Sequence, residues 1–338
     1  MRLLASLAVQ GVQIGDSAMD WADIACDMQH ADRHRLFPVV ASGAASAAAN
    51  GGAFDRAQAL VDRIEASEVA LGERTADACS GPANLAFFAG DFALARARSE
   101  DWITLARAGA DRYQLARALL SLGAALSIGG DIEAGLAALA EAVDVARDAG
   151  ILTVLATALT AMAIFMSPED SRALAALDEA VEVGTRIGDR QAVATATGNK
   201  GWFAARHQDW HGALQASRDF DEMRLEFRLS VASSPGAFAL APVALVELGR
   251  LEPAGVILGH YETFARGIPG PPWSLALVES ARETLTEAMA PDEFAALFAR
   301  GAALLPEEAA AYLQMAITQA LEASPHPSDI AGRSATAE

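Results

Sequence analysis

Lysine is almost missing from this chain: Lys200 is the single one in 338 residues, and arginine carries the rest of the positive charge. That excludes a Walker A loop, in which GxxxxGK followed by Ser or Thr wraps phosphates with backbone amides while the lysine reaches the outer ones. Lys200 stands in Gly198-Asn199-Lys200-Gly201 and does not fit. Cysteine is scarce as well. Cys26 and Cys79 lie in alanine-rich surroundings without CxxC spacing, so no disulfide framework is expected and a reducing cytoplasm is the expected compartment. Basic residues number 25 against 44 acidic ones, for a formal charge of −19, which repels nucleic-acid phosphate and anionic lipid. No direct nucleic-acid or membrane partner is expected. The first thirty residues lack a basic start, a long apolar run and a small-residue cleavage site, so no secretory leader is expected. Also missing is the β-branched alternation of strands. What remains is 52% apolar residues, ample for a continuous core.

A repeat organises that material. A small or polar pair precedes a bulky apolar residue, with a small residue three positions later: Gly52-Ala53-Phe54 to Ala57, Gly90-Asp91-Phe92 to Ala95, Gly130-Asp131-Ile132 to Gly135, Gln208-Asp209-Trp210 to Ala213, and Gly249-Arg250-Leu251 to Ala254. The bulky slots at 54, 92, 132, 210 and 251 are spaced by 38, 40, 78 and 41 residues. The double interval predicts a degenerate copy near 170, where Pro168-Glu169-Asp170 leads to Ala173. Gly15-Asp16-Ser17 provides a further copy, 37 residues before the first clear one. A period of this length denotes a helical-repeat architecture. Each unit reads as two amphipathic helices joined by the turn: helix A over about 112–128 and helix B over about 132–148, with Leu136, Leu139, Val143 and Ala146 at helical spacing and Asp131 placed as a cap.

At Leu122-Gly123, Leu126, Gly130-Asp131-Ile132, Gly135, Leu139 and Ala142 the chain resembles the tetratricopeptide repeat. Gly201, Ala204, Asp209, Trp210 and Ala213 keep the same frame, as do Ala86, Gly90, Phe92 and Ala95; the proline usual after helix B is generally absent. Units of 38 to 41 residues exceed the standard of about 34, which implies longer helices or connections. Long, alanine-rich, acidic repeats of this kind resemble the C-terminal helical-repeat regions of actinobacterial signalling ATPases, both LuxR-type transcription regulators and ATPases linked to nucleotide cyclases. The segments Phe294-Ala295-Ala296-Leu297-Phe298-Ala299-Arg300-Gly301 and Leu304-Leu305-Pro306-Glu307-Glu308-Ala309 are similar to the close of those regions. The resemblance covers about residues 1–322 and the repeat module only. It implies an all-α α–α superhelix of about seven helix pairs, and a sensing or protein-interaction role in signal transduction or transcription regulation. The implied partner is a protein or peptide, including an ATPase, cyclase or DNA-binding domain on the same or another chain. The ATPase, cyclase and helix-turn-helix parts of such proteins have no counterpart in this sequence.

Repeats are expected over residues 1–266, capping helices (275–289, then from Pro291) over 267–323, and a disordered tail over 324–338. The uncharged run from Ala149 to Pro168 approaches membrane-spanning length, but it falls where a helix A belongs and carries Thr153, Thr157 and Thr160, so burial between repeats is expected. His30 with His34, and His207 with His211, have the i, i+4 spacing of paired zinc ligands, yet HExxH is absent and the second pair spans a turn. Asp219, Asp221 and Glu222 alternate with Arg218, Arg224 and Arg228, which reads as a charged outer helix face. Neither Gly-x-Ser-x-Gly nor DDxxD occurs. No catalytic constellation, metal or cofactor is therefore expected. Tetratricopeptide-like arrays turn helix A toward the concave side, and the repeat frame places Asn84, Phe88, Arg117, Met162, Phe165, Asn199, Trp202 and Arg206 there. Aromatic and arginine residues dominate binding hot spots, so this lining suits a peptide or partner protein, or alternatively a small-molecule inducer.

Overall fold

The computed structural model describes residues 2, 5, 24–167, 169–227, 236–265 and 270–323. The copy at Gly15-Asp16-Ser17, Pro168, Arg228, Pro235, part of the linker from Gly267 and the tail beyond 323 lie outside the described residues. Among the described residues every regular element is helical.

Among the described residues, fifteen α-helices with both ends defined follow one another: α1 (Phe37–Asn50), α2 (Phe54–Leu71), α3 (Ser80–Phe88), α4 (Phe92–Ala108), α5 (Arg112–Ile128), α6 (Ile132–Ala149), α7 (Leu152–Phe165), α8 (Arg172–Ile187), α9 (Arg190–Arg206), α10 (Trp210–Phe227), α11 (Gly236–Glu247), α12 (Leu251–Ala265), α13 (Pro272–Ala288), α14 (Pro291–Ala302) and α15 (Pro306–Ala323). The bulky slots of the repeat are helix starts: Phe54, Phe92, Ile132, Trp210 and Leu251 each open an even-numbered helix. The cause is local. Asp91 and Asp131 accept hydrogen bonds from Leu94 N (2.9 Å) and Ala134 N (3.2 Å), and Asp111 and Asp189 do the same for α5 and α9, satisfying amides that a helix N-terminus leaves open. At the turn into α6, Gly130 adopts φ 101°, a conformation without steric cost only for glycine. At the matching turn into α10, Gln208 sits at φ 61° instead.

The small slot explains the rest of the signature. Ala57, Ala95, Ala173, Ala213 and Ala254 are fully buried, and Gly135 is buried in the same position, whereas Phe54 and Ile132 stay about 40% exposed. The small residue is thus where helices cross. A Cβ on Gly135 would approach the Gly123 carbonyl of α5 to 2.9 Å, and one on Gly123 would meet Leu139 Cγ at 2.5 Å.

The chain divides into two compact units, Met1–Ala161 and Met162–Glu338. In the first, α1 packs on α2 and α3, α3 on α4 and α5, α4 on α5, and α5 on α6. Successive pairs thus meet through the odd-numbered helix of the later pair, α3 and then α5, as in a helix-pair repeat. Phe37, Val40, Leu60 and Ile64 fill the core at the α1–α2 end. In the second unit, α8 packs on α9, α9 on α10 and α11, and α11 on α12 and α13. There the order changes. Helix α14 lies mainly against α12, and α15 turns back onto α10, α11 and α12. The segment expected to continue from Pro291 is broken after Ala302 because Pro306 starts a new helix at its first turn.

The charged cluster on α10 departs from expectation. Asp221 is fully buried and Arg224 nearly so, because α15 covers this face. Arg224 Nε donates to Asp221 Oδ1 at 2.8 Å, and Gln314 Nε2 of α15 donates to Asp221 Oδ2 at 2.9 Å and to the Arg218 carbonyl at 3.3 Å. Alternation of sign read as a solvated surface is, at these two residues, a buried ion pair.

The uncharged run at 149–168 behaves as expected. It contains α7, in which Val154, Leu155, Leu159 and Thr160 are buried, and among the described residues no helix is long and apolar enough to cross a membrane.

Candidate functional site

All eight lining residues lie on odd-numbered helices: Asn84 and Phe88 on α3, Arg117 on α5, Met162 and Phe165 on α7, and Asn199, Trp202 and Arg206 on α9. Three belong to the first unit and five to the second.

In the first unit, Asn84 and Phe88 are half-buried, and Phe88 meets Phe87 edge to face at 5.3 Å. Arg117 holds its guanidinium 5.2 Å from the ring centre of Trp102 and 5.7 Å from that of Tyr113. Beneath it, Trp102 Nε1 donates to Gln114 Oε1 at 3.2 Å, and Gln114 Nε2 donates to Asp77 Oδ1 at 2.6 Å. Burial pushes the Asp77 carboxyl above its usual range, against the opposing hydrogen bond from Gln114, and burial also lowers Arg117. These groups satisfy one another. Trp102 and Asp77 escaped the sequence reading because Trp102 lies on an even-numbered helix and Asp77 in a short 3-10 turn, outside the helix A frame.

The second unit has a more open arrangement. Ala163 and Ile164 of α7, Leu177 of α8, Asn199, Trp202, Phe203 and Arg206 of α9, and Trp273 of α13 line a shallow cleft. Trp202 is buried and presents its ring to Trp273 at 5.6 Å and 77°. Arg206 lies over the Trp273 ring at 4.8 Å, a cation–π geometry, while its Nη2 donates to the Met166 carbonyl at 2.8 Å. Burial lowers the Arg206 pKa, opposed by the negative charge of Glu169. Asn199 turns its Nδ2 to the Thr195 carbonyl at 2.8 Å. The structure therefore brings Asn199, Trp202 and Arg206 to one cleft. Met162 and Phe165, on the α7 turns that supply Ala163 and Ile164, are half-buried and not among its lining residues. Trp273 was missed. It belongs to a segment read as a cap, and the only trace of it in the sequence is an aromatic placed just after Pro271-Pro272.

The cleft presents aromatic and aliphatic side chains and a guanidinium. A second cleft, in the first unit, is lined by Glu65, Glu68, Arg74, Cys79 and Arg98 among others, but its charges pair internally. Arg74 Nε meets Glu68 at 3.2 Å and Arg98 meets Glu65 at 2.7 Å. Burial pushes the Cys79 thiol up to about 12, which removes thiolate reactivity at neutral pH. His34 Nδ1 accepts from Leu36 N, His207 packs 4.6 Å from Phe203, and among the described residues no group of three or more His, Cys, Asp or Glu side chains converges as metal ligands would.

No protein-family model matches the chain, and no curated protein matches it.

Proposed function

We propose that this chain is a non-catalytic recognition module, which binds a peptide or partner protein through residues of its odd-numbered helices, Asn199, Trp202 and Arg206 of α9 foremost. The reading extends the resemblance to tetratricopeptide-like regions of bacterial signalling regulators: a cytoplasmic sensing or interaction scaffold whose partner is an ATPase, cyclase or DNA-binding domain. One observation carries it. Arg206, stacked on Trp273, sits at a cleft next to Phe203 and Ile164, so a hot-spot combination of arginine and tryptophan remains partly open to solvent and outside the sealed core. A packed solenoid does not require an arginine there.

The test is affinity capture with the full chain, comparing wild type with Arg206→Ala and Trp273→Ala, and thermal melts to confirm that both variants fold. Capture of the specific partner is expected to fall about tenfold or more in each variant, as for central hot-spot residues. Equal recovery by two folded variants would remove this face as the binding surface. Trp202 is the poorer probe, because its burial makes truncation a packing defect.

A further inference from the structure

We infer that α15 is a detachable strap: it fills, in cis, a groove across α10, α11 and α12 that also takes an amphipathic helix of a partner protein. None of these helices supplies Arg206, so the strap stands or falls apart from the reading at α9.

The seating of α15 is that of a ligand helix. It lies on α10, α11 and α12, out of repeat order, so one helix crosses three consecutive ones. Its buried residues are Ala309, Ala310, Leu313, Ala316, Ile317 and Ala320, a stripe with the i, i+4, i+7 spacing of a helix laid in a groove. Glu307, Glu308, Met315 and Glu322 on the other side are exposed. Within that stripe only Leu313 and Ile317 are large, whereas α11 buries Phe238, Leu240, Val243 and Leu245 in the same core. Apolar area removed from water sets the strength of such contacts, so α15 is held more weakly than α11.

The floor of the groove is independent of that count. Beneath α15, Asp221 and Arg224 are buried as an ion pair contained within α10, with Nε 2.8 Å from Oδ1. Covering such a pair costs hydration that its own attraction barely returns. Because both partners belong to α10, the pair stays whole when α15 leaves, and its hydration is regained. Gln314 of α15 joins the pair by donating to Asp221 Oδ2 and to the Arg218 carbonyl. Arg218 Nε is buried and makes no hydrogen bond among the described residues, its ion-pair partner Glu222 standing 3.9 Å away. A donor in that state disfavours the closed form relative to one that admits water. This face of α10 thus suits a surface that is alternately wet and covered, which a permanent core does not require.

The strap also carries its own cap. Glu308 Oε2 accepts from Leu305 N at 3.0 Å, half of a capping box formed inside the first turn of α15, and it moves with the helix. A competing partner helix needs the same face: small residues at the crossing points, one or two branched aliphatics, and an amide donor opposite Asp221.

Hydrogen exchange of the full chain, read by mass spectrometry, measures the opening directly. Amides across 313–320 are expected to exchange as one unit, at least about tenfold faster than those of α11, and Gln314→Ala to speed them about tenfold further with α11 unchanged. The probe for the groove is a labelled peptide with the sequence of residues 306–323. It is expected to bind full-length Gln314→Ala about tenfold more tightly than wild type, whose own strap competes, and to weaken about tenfold when the peptide itself carries Gln314→Ala. Protection at Leu313 equal to that of α11, with fast exchange only from Ala323 inward, is end fraying and overturns the inference. So does the absence of saturable peptide binding to folded Gln314→Ala up to about 1 mM. Should Gln314→Ala fail to fold, exchange in the wild type decides. Loss of partner capture by Arg206→Ala with α15 as protected as α11 removes the strap and leaves the partner-binding reading standing; an opening strap that takes the peptide, with capture by Arg206→Ala undiminished, does the reverse.

Discussion

The two units differ in how far along the chain their polar cross-links reach. In Met1–Ala161 the links between helices join residues one repeat apart or closer: Ser42 to Ser80 across 38 positions, Gln114 to Asp77 across 37, Arg107 to Glu141 across 34, Trp102 to Gln114 across 12. In Met162–Glu338 the bond from Arg206 to Met166 spans 40, but Gln314 reaches Asp221 and Arg218 across 93 and 96. The first unit is a nearest-neighbour structure, held by contacts the repeat period itself specifies. The second closes by a helix that returns over earlier ones, and in doing so buries charge. One sequence pattern can therefore be cut into two kinds of cooperative unit, one whose stability adds up repeat by repeat and one secured at a single distant contact.

The sharpest way to break that comparison is to remove the buried carboxylate. Asp221→Ala leaves Arg224 covered and unpaired and is expected to cost about 3–5 kcal/mol in urea unfolding, whereas Gln314→Ala should cost less because Arg224 keeps its partner. An Asp221→Ala effect below the range of surface pairs would show that α15 does not seal this site.

Helix crossings come next. A Cβ at Gly301 would run into the Val256 carbonyl, a backbone atom, while one at Gly123 meets chiefly the Leu139 side chain, which can turn aside in part. Both alanine substitutions overpack the core, at roughly 1–3 kcal/mol; Gly301→Ala is expected at or above the upper end and Gly123→Ala below it. Equal melting-temperature losses would contradict the distinction.

Acid should act on the two units with opposite sign. In the second unit, burial lowers the pKa of His260, against a hydrogen bond with the Gly301 backbone. The unfolded chain then binds the proton first, so this contribution is present above pH 6.5 and is lost as pH falls from there through the depressed folded value. In the first unit, burial raises Glu68 and Asp77 above 4.5 and 3.8. For these the folded state takes up the proton first, so stability rises as pH falls through the raised values toward the unfolded ones. Urea unfolding between pH 7 and 4.5 of wild type, His260→Gln and Glu68→Gln separates the two: the first variant should lose the early decline and the second part of the later gain. Parallel curves for all three proteins would refute the assignment.

The smallest effect belongs to the surface of the first unit. Arg107 and Glu141 are both about half exposed, so Arg107→Ala is expected to change stability by less than about 1 kcal/mol, and by less still in high salt. A loss as large as that of Asp221→Ala would erase the contrast between the units.

Legibility in the sequence followed the range of the interaction. Helix starts at Phe54, Phe92, Ile132, Trp210 and Leu251 could be read because the cap, the turn and the small crossing residue all lie within a few positions of one another. Asn199, Trp202 and Arg206 could be placed near one another because they occupy one face of one helix. Trp273 could not, since it reaches the cleft from α13, more than sixty positions beyond α9. The burial of Asp221 and Arg224 was read in the opposite sense, because alternating charge on an amphipathic helix looks solvated until another helix is laid over it.

The amino-acid order by itself determined that the described residues are helical, where the helices at Phe54, Phe92, Ile132, Trp210 and Leu251 begin, and which small residues allow neighbours to touch; these are matters of backbone conformation and spacing within a turn or two. Only tertiary structure decided that α15 covers Asp221 and that Trp273 lies under Arg206. Both depend on the free energy of bringing far-apart segments together, where desolvation and pairing are settled jointly and no local pattern records the result.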